Sequence, residues 1–309
     1  MLGFRDRLVI LMYHRVLAQP DIYHSGDVDA AVFDWQMAIL QRYFNVLPLT
    51  EAAERLRTRS LPPRAIAITF DDGYADNVEI ALPILQRHEL HATFFIATGY
   101  LNGGRMWNDT VIEAIARAPK AHLDLTHLEL GRHFLADDGA RVRVVRELLG
   151  RLKYLGSQER LRTSKAIADT AGQKLPDNLM MTTAQLRTLS AAGMDIGAHT
   201  ISHPILSRVS DDESRHEIDG SIKQLGELLG QEIRTFAYPN GQPGTDYARR
   251  DVEIVSSAGI RVAVSTAWGY ANSDTDSRQL ARIAPWDTTP VRFALRIFRS
   301  YFGSPPTVV

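Results

Sequence analysis

Two pairs of residues have the types and the spacing to do chemistry. Asp71 and Asp72 are adjacent, follow the uncharged run Ala65–Phe70 and precede Gly73; His199 and His203 stand four apart, just after the short run 194–198. On a helical turn two such imidazoles share one face and can grip a divalent cation together. Two imidazoles and one carboxylate leave coordination positions open for water and substrate, which is the plan of hydrolytic zinc sites. The second carboxylate can then take the water's proton as general base. Each signal also has a plain structural explanation. Asp72 and Asp76 stand where the N-cap of the next helical pattern falls, and paired histidines are often satisfied by ordinary hydrogen bonds. The same three donors also describe the facial triad of a non-haem iron oxygenase.

Groups so far apart in sequence need elements that deliver them to one mouth. Ala65–Phe70 suits burial on both faces, as a central strand of a parallel sheet does, and the carboxyl ends of such strands are where ligands collect. Consecutive strand residues point to opposite faces, so Asp71 and Asp72 share a site only if the chain bends there, which Gly73 eases. Residues 8–13, 92–99, 194–198, 235–238, 261–266 and 281–283 read as further strands. Helical patterns fall between them, among them 31–43, 51–59 capped by Thr50, 213–229 and 245–258. This alternation predicts an α/β chain with a parallel sheet or barrel. From 102 to 181 it gives way to helix-forming sequence, read as a helical insertion, in which the basic run 141–165 reads as a solvated helix face, the alternative being contact with an acidic glycan or a phospholipid head group. Residues 290–302 put Phe293, Ile297 and Tyr301 at helical spacing with Arg292, Arg296 and Arg299 interleaved. A helix closing the barrel is one reading and a helix lying on a membrane surface the other. With no repeat or long linker, 1–309 reads as a single domain.

Composition narrows the classes. Among 309 residues, 35 basic and 36 acidic side chains give no global attraction to nucleic acid. The absence of cysteine excludes disulfides, thiolate catalysis and thiolate metal sites, so a metal must use His, Asp, Glu or carbonyl donors. No apolar window of about 18 residues occurs to span a membrane, and residues 1–12 lack a signal-peptide pattern. The expectation is a cytoplasmic protein or one peripheral at the inner membrane face.

With these residues in view, the sequence resembles the polysaccharide deacetylases, carbohydrate esterase family 4, which share the NodB-homology domain. Thr69-Phe70-Asp71-Asp72-Gly73 is similar to the family's first motif and His199-Thr200-Ile201-Ser202-His203 to its second. Phe236-Ala237-Tyr238-Pro239-Asn240-Gly241 resembles the third, in the variant of an exopolysaccharide-associated subgroup. The resemblance spans about residues 8–285. It implies a distorted (β/α) barrel of about seven parallel strands. It also implies Asp71 as general base, with Asp72, His199 and His203 as ligands of a divalent metal, Zn²⁺ first and Co²⁺, Ni²⁺ or Mn²⁺ as alternatives. The implied reaction is hydrolysis of N-acetyl groups on hexosamine residues of a polysaccharide or its lipid-linked precursor, with the backbone N–H of Asn240 at the oxyanion and Tyr238 beside it.

Two departures from the family pattern stand out. The third motif usually carries an arginine that orients the base, and Ala237 stands in its place; Arg282 is the candidate substitute. The usual late histidine that protonates the leaving amine has no match, because no histidine follows His216. His14 is the remaining candidate acid. Trp107 and Trp286 are candidates to stack on sugar rings. A catalytically inactive glycan-binding homologue is a further reading.

Overall fold

The computed structural model describes residues 6–119, 121–302, 306, 308 and 309. Residues 1–5, which entered the expectation about a leader, lie outside them. The chain divides into two compact units, one of 1–19, 26–101 and 181–309, the other of 20–25 and 102–180.

In the first unit seven strands pair side by side in chain order and all in parallel. They are β1 (Leu8–Tyr13), β2 (Ala65–Phe70), β3 (Thr93–Ile96), β4 (Asp195–Ala198), β5 (Thr235–Ala237), β6 (Val262–Trp268) and β7 (Leu280–Arg282). The end of β7 returns to β1, where Met12 N donates to Ile283 O and Ile283 N to Ile10 O, each at 2.9 Å. The result is a nearly closed, distorted (β/α) barrel, as expected. Successive strand side chains alternate between two cores. Leu8, Ile10, Ala65, Ala67, Phe95, Ala237, Val262, Val264 and Leu280 fill the lumen, joined by Leu49, Ala52 and Leu56 of α2 (Leu49–Arg57). Their neighbours Val9, Leu11, Ile66, Ile68, Phe70, Phe94, Ile96 and Phe236 pack outward, together with residues of the surrounding helices. Gly197 belongs to the lumen set, and a Cβ there would sit 2.5 Å from both the Phe95 ring and Thr235 Oγ1.

The outer helices of this unit include α1 (Ala30–Tyr43), α3 (Leu82–Arg87), α4 (Thr183–Ala191), α5 (Asp211–Leu229), α6 (Arg249–Ser257) and α7 (Pro290–Ser300). Helix α2 begins at Leu49, before the predicted start at 51, and α6 at Arg249, after the predicted start at 245. Pro48, not Thr50, occupies the N-cap position of α2, proline being well suited to a helix start. The chain before α6 is held in turns by Asp246, whose carboxylate accepts Gln242 N at 3.0 Å. Helix α7 buries Phe293 and Ile297, Phe293 meeting Trp35 edge-on at 5.6 Å, and Tyr301 just beyond it donates its hydroxyl to Ala65 O.

The second unit has its own core. Helices Trp107–Arg117, Asp138–Leu152 and Ser157–Ala171 bury Val111, Ile115, Leu148, Leu152 and Ile167 together. It also contains an antiparallel hairpin, His122–Leu125 with Gly131–Phe134, that the helical reading of this segment missed. Its strands are four residues long, and only Leu123 and Leu125 mark the inward face. The basic run is not wholly a solvated face. Arg160 is buried with its guanidinium 5.0 Å over the Trp107 ring, and Arg141 and Arg151 donate to the carbonyls of Ile115, Ala118, Glu129 and Leu130. Among the described residues no helix is long and apolar enough to cross a membrane.

Candidate active site

The lumen-facing register runs on past the strand ends. Asp71 lies two residues after Thr69, His199 two after Gly197 and Arg282 two after Leu280, so strand periodicity turns all three inward at the carboxyl-terminal mouth. His14 leaves β1 alongside them, since Asp71 N donates to Tyr13 O at 2.9 Å. Asp72 is out of this register and joins the site by a bend: it has φ 75° and Gly73 φ 88°. A left-handed conformation costs a non-glycine residue about 1–2 kcal/mol, so the surrounding structure must over-determine it.

The segment carrying the two histidines is not helical. It is a loop in which Thr200 and His203 adopt left-handed φ values of 63° and 56°. Glu217, on the buried face of α5, shapes that loop by accepting from Ile201 N and Ser202 N at 2.8 Å and from Ser202 Oγ at 2.6 Å. Thr200 Oγ1 accepts from His203 N at 3.1 Å. The imidazole centroids end 4.9 Å apart.

Two clusters result. In the first, Nε2 of His199 and Nε2 of His203 each stand 3.4 Å from Asp72 Oδ1, a buried oxygen with no hydrogen-bond partner among the described residues. The Ala237 carbonyl, 2.7 Å from His199 Nδ1, can only accept, so it fixes the proton on Nδ1 and turns the Nε2 lone pair of the neutral ring toward Asp72. Two imidazole Nε2 atoms around an orphaned carboxylate oxygen fit a cation, and one donor atom from each residue lies within 4.8 Å of the others. In the second cluster Arg282 clamps Asp71 bidentately, Nη1 to Oδ1 and Nη2 to Oδ2 at 2.7 Å each, with both side chains buried. The guanidinium is itself held by Ser265 O at 2.9 Å and Thr69 Oγ1 at 3.2 Å.

The electrostatics follow from these contacts. Burial works to raise Asp71, but the Arg282 guanidinium and then His199 outweigh it and hold the carboxyl below the usual range. Burial likewise opposes ionisation of Asp72, and its histidine neighbours carry it well below that range. For His199 burial favours the neutral ring, yet Asp72 and Asp71 raise its pKa overall. The site is an anionic cup that draws positive charge.

The remaining sequence candidates divide. His14 lies close enough that its charge acts on both Asp71 and Asp72. Its backbone is fixed by Asn77 Nδ2, which donates to His14 O at 2.9 Å. Asp76, beside Asn77, pairs with Arg15 at 2.8 Å. Burial pushes Asp76 up to about 6 against that guanidinium. Asn240 sits after β5 with φ 57°, and its carbonyl accepts from Thr266 Oγ1 at 2.6 Å. Tyr238 faces the outer core: it is fully buried, stacked 3.9 Å from Tyr247, and donates its hydroxyl to Arg278 O. Trp107 packs in the core of the second unit. Trp286 is half exposed, with the Arg296 guanidinium 4.1 Å over its ring and Trp268 5.4 Å away. Sequence reasoning missed Glu217 and the Arg15–Asp76 pair, whose signal was limited to acids on otherwise buried helix faces.

A parallel barrel that gathers two carboxylates, two imidazoles and a buried arginine at its carboxyl-terminal mouth is the frame of an α/β-barrel hydrolase. The sequence profile described as "Polysaccharide deacetylase" matches residues 58–123 and 137–263. The chain belongs to the polysaccharide deacetylase family, whose reaction is hydrolytic de-N-acetylation. It is 22% identical over 279 residues to YxkH of Bacillus subtilis (strain 168), covering 90% of this chain and 71% of that protein. Its fold is similar to the Streptococcus pyogenes deacetylase PplD in complex with acetate (TM-score 0.59, 21% identity, 90% of this chain and 92% of that one). It is also similar to IcaB from Ammonifex degensii (TM-score 0.61, 19% identity, 96% and 97%).

Proposed function

We propose that this protein is a metal-dependent N-deacetylase acting on N-acetylhexosamine residues, of the N-acetylglucosamine type, in a bacterial polysaccharide or its lipid-linked precursor, and that 1–309 works as one deacetylase domain. The observation that carries the proposal is the division of labour between adjacent aspartates. One is left with an orphaned oxygen between two imidazoles, and the other is clamped by an arginine. A facial-triad iron enzyme uses the same three donors but gives no task to a second, arginine-clamped carboxylate.

Asp72, His199 and His203 would hold the cation, which we assign as zinc from the nitrogen and oxygen donor set. When bound it would supply a lowered pKa for water and polarisation of the acetyl carbonyl. Asp71, kept ionised by Arg282, retains lone pairs beyond the two hydrogen bonds it accepts and takes the proton of the attacking water. Water adds to the acetyl carbon, the C–N bond breaks, and acetate and a free amine result. The leaving nitrogen needs a proton, and His14, at the end of the neighbouring strand β1, gives it. The backbone N–H of Asn240 donates to the carbonyl oxygen as it gains charge. Arg282 positions Asp71, and Trp286 offers an aromatic contact to the sugar.

Acetate release from acetylated chito-oligosaccharides tests this reading. The chelated protein should be inactive and recover with Zn²⁺. Asp71→Asn should lose about a thousandfold in turnover while keeping the metal, and His199→Ala should lose metal and activity together. Undiminished acetate release by either variant would overturn the assignment.

A further inference from the structure

Helix α7 carries an outer face that closing the barrel does not explain. Its residues Phe293 and Ile297 are buried, while Val291, Leu295, Phe298 and the following Phe302 are 69%, 49%, 52% and 57% exposed. These four fall at i, i+4, i+7 and i+11, a single stripe along the helix. Arg292, Arg296 and Arg299 form a parallel stripe beside it.

Each flank of the apolar stripe opens into a depression of distinct chemistry. On one side is a mainly apolar groove of about 800 Å³, lined by Ile39, Tyr43, Phe44 and Arg64 together with Val291 and Phe298. On the other is a pocket of about 430 Å³ lined by Arg292, Arg296, Arg299, Trp268 and Asp287. Asp287 is already engaged by Arg296, and no acidic residue follows it in the sequence. A groove that takes hydrocarbon and a cationic pocket that takes an anionic head therefore lie on opposite sides of one helix.

We infer that α7 docks this protein onto the surface of an anionic phospholipid bilayer. Val291, Leu295, Phe298 and Phe302 would enter the acyl boundary, and Arg292 and Arg299 would meet head-group phosphates. A second copy of the chain is a poorer occupant, because a two-fold contact through this face would set arginine stripe against arginine stripe. A large apolar stripe flanked by arginine and tryptophan is the pattern of a helix lying in the interface plane, where apolar insertion and attraction to anionic lipid add. The docking surface starts on the side of the catalytic mouth, since α7 follows the end of β7 at Arg282.

The test is co-sedimentation of the full chain with vesicles of phosphatidylcholine alone or containing about a third phosphatidylglycerol. It needs no catalysis, so it stands apart from the reading of the active site. Wild-type protein should bind the anionic vesicles and leave the neutral ones largely bare. L295E/F298E and R292E/R299E should each weaken anionic binding by about tenfold or more. Both alter exposed side chains, so melting curves superposing on wild type confirm that the losses are local. Absence of wild-type binding to anionic vesicles would overturn the proposal, as would binding by L295E/F298E equal to wild type. So would a dimer in sedimentation equilibrium that L295E/F298E dissolves while the vesicles stay bare.

Discussion

The two halves of the catalytic cup, built from neighbouring aspartates, differ in how finished they are. Asp71 has both oxygens satisfied by Arg282, which is itself held by Ser265 and Thr69. Asp72 has a buried oxygen that two imidazole nitrogens approach at 3.4 Å and that accepts from nothing among the described residues. The first half is complete in the polypeptide alone, and the second becomes complete with a cation. Folding stability is therefore invested in the base, while the ligand set stores the capacity to bind.

The sharpest way to break this comparison is to unfinish the finished half. Arg282→Met leaves a buried carboxylate unpaired and should cost about 3–5 kcal/mol in urea unfolding. Adding Asp71→Asn to that variant should recover much of the stability and none of the activity. The ligand half should respond to zinc instead. Saturation at about a hundredfold excess over the dissociation constant should stabilise the wild type by about 2.7 kcal/mol, read as a rise in melting temperature. Asp72→Ala should abolish the rise, and Arg282→Met should retain it. The smallest effect is expected behind the histidine loop. Glu217→Ala removes three hydrogen bonds, leaves two backbone N–H groups to find other partners, and should cost about 1–3 kcal/mol. Because that loop orients the imidazoles, zinc affinity by competition titration should fall about 10–100-fold with Asp71 untouched. Unchanged affinity would mean that the loop holds its shape without Glu217.

Much of the barrel was legible because strand period and burial agree: β2 reads as uncharged in sequence and is buried throughout. The same period makes Arg282 intelligible, since a residue two beyond the lumen residue Leu280 must face the mouth. It also explains Tyr238, which follows the lumen residue Ala237 by one and so faces the outer core, although its motif suggested a place at the substrate. The histidine loop was legible in composition and not in conformation. The i, i+4 spacing suggested a helical turn, whereas left-handed Thr200 and His203 and the Glu217 clamp bring the rings together. Glu217 itself was hidden because its role depends on which loop meets the buried face of α5, a tertiary fact that local pattern does not carry. The hairpin at 122–134 was hidden for a different reason, its strands being too short for alternation to stand out.

The barrel seam has a consequence in time. The strands that meet there, β1 and β7, are the first and last of the barrel, and the Asp71–Arg282 pair joins residues 211 apart in sequence. As the chain leaves the ribosome, Asp71 emerges long before its guanidinium, so a lumen closed early would enclose a bare carboxylate. Such a closure carries a desolvation penalty that only β7 removes. The pair therefore acts as a completion lock: the base is set in place by the last strand to be made, and a chain cut short before Arg282 holds the aspartates without the geometry to use them.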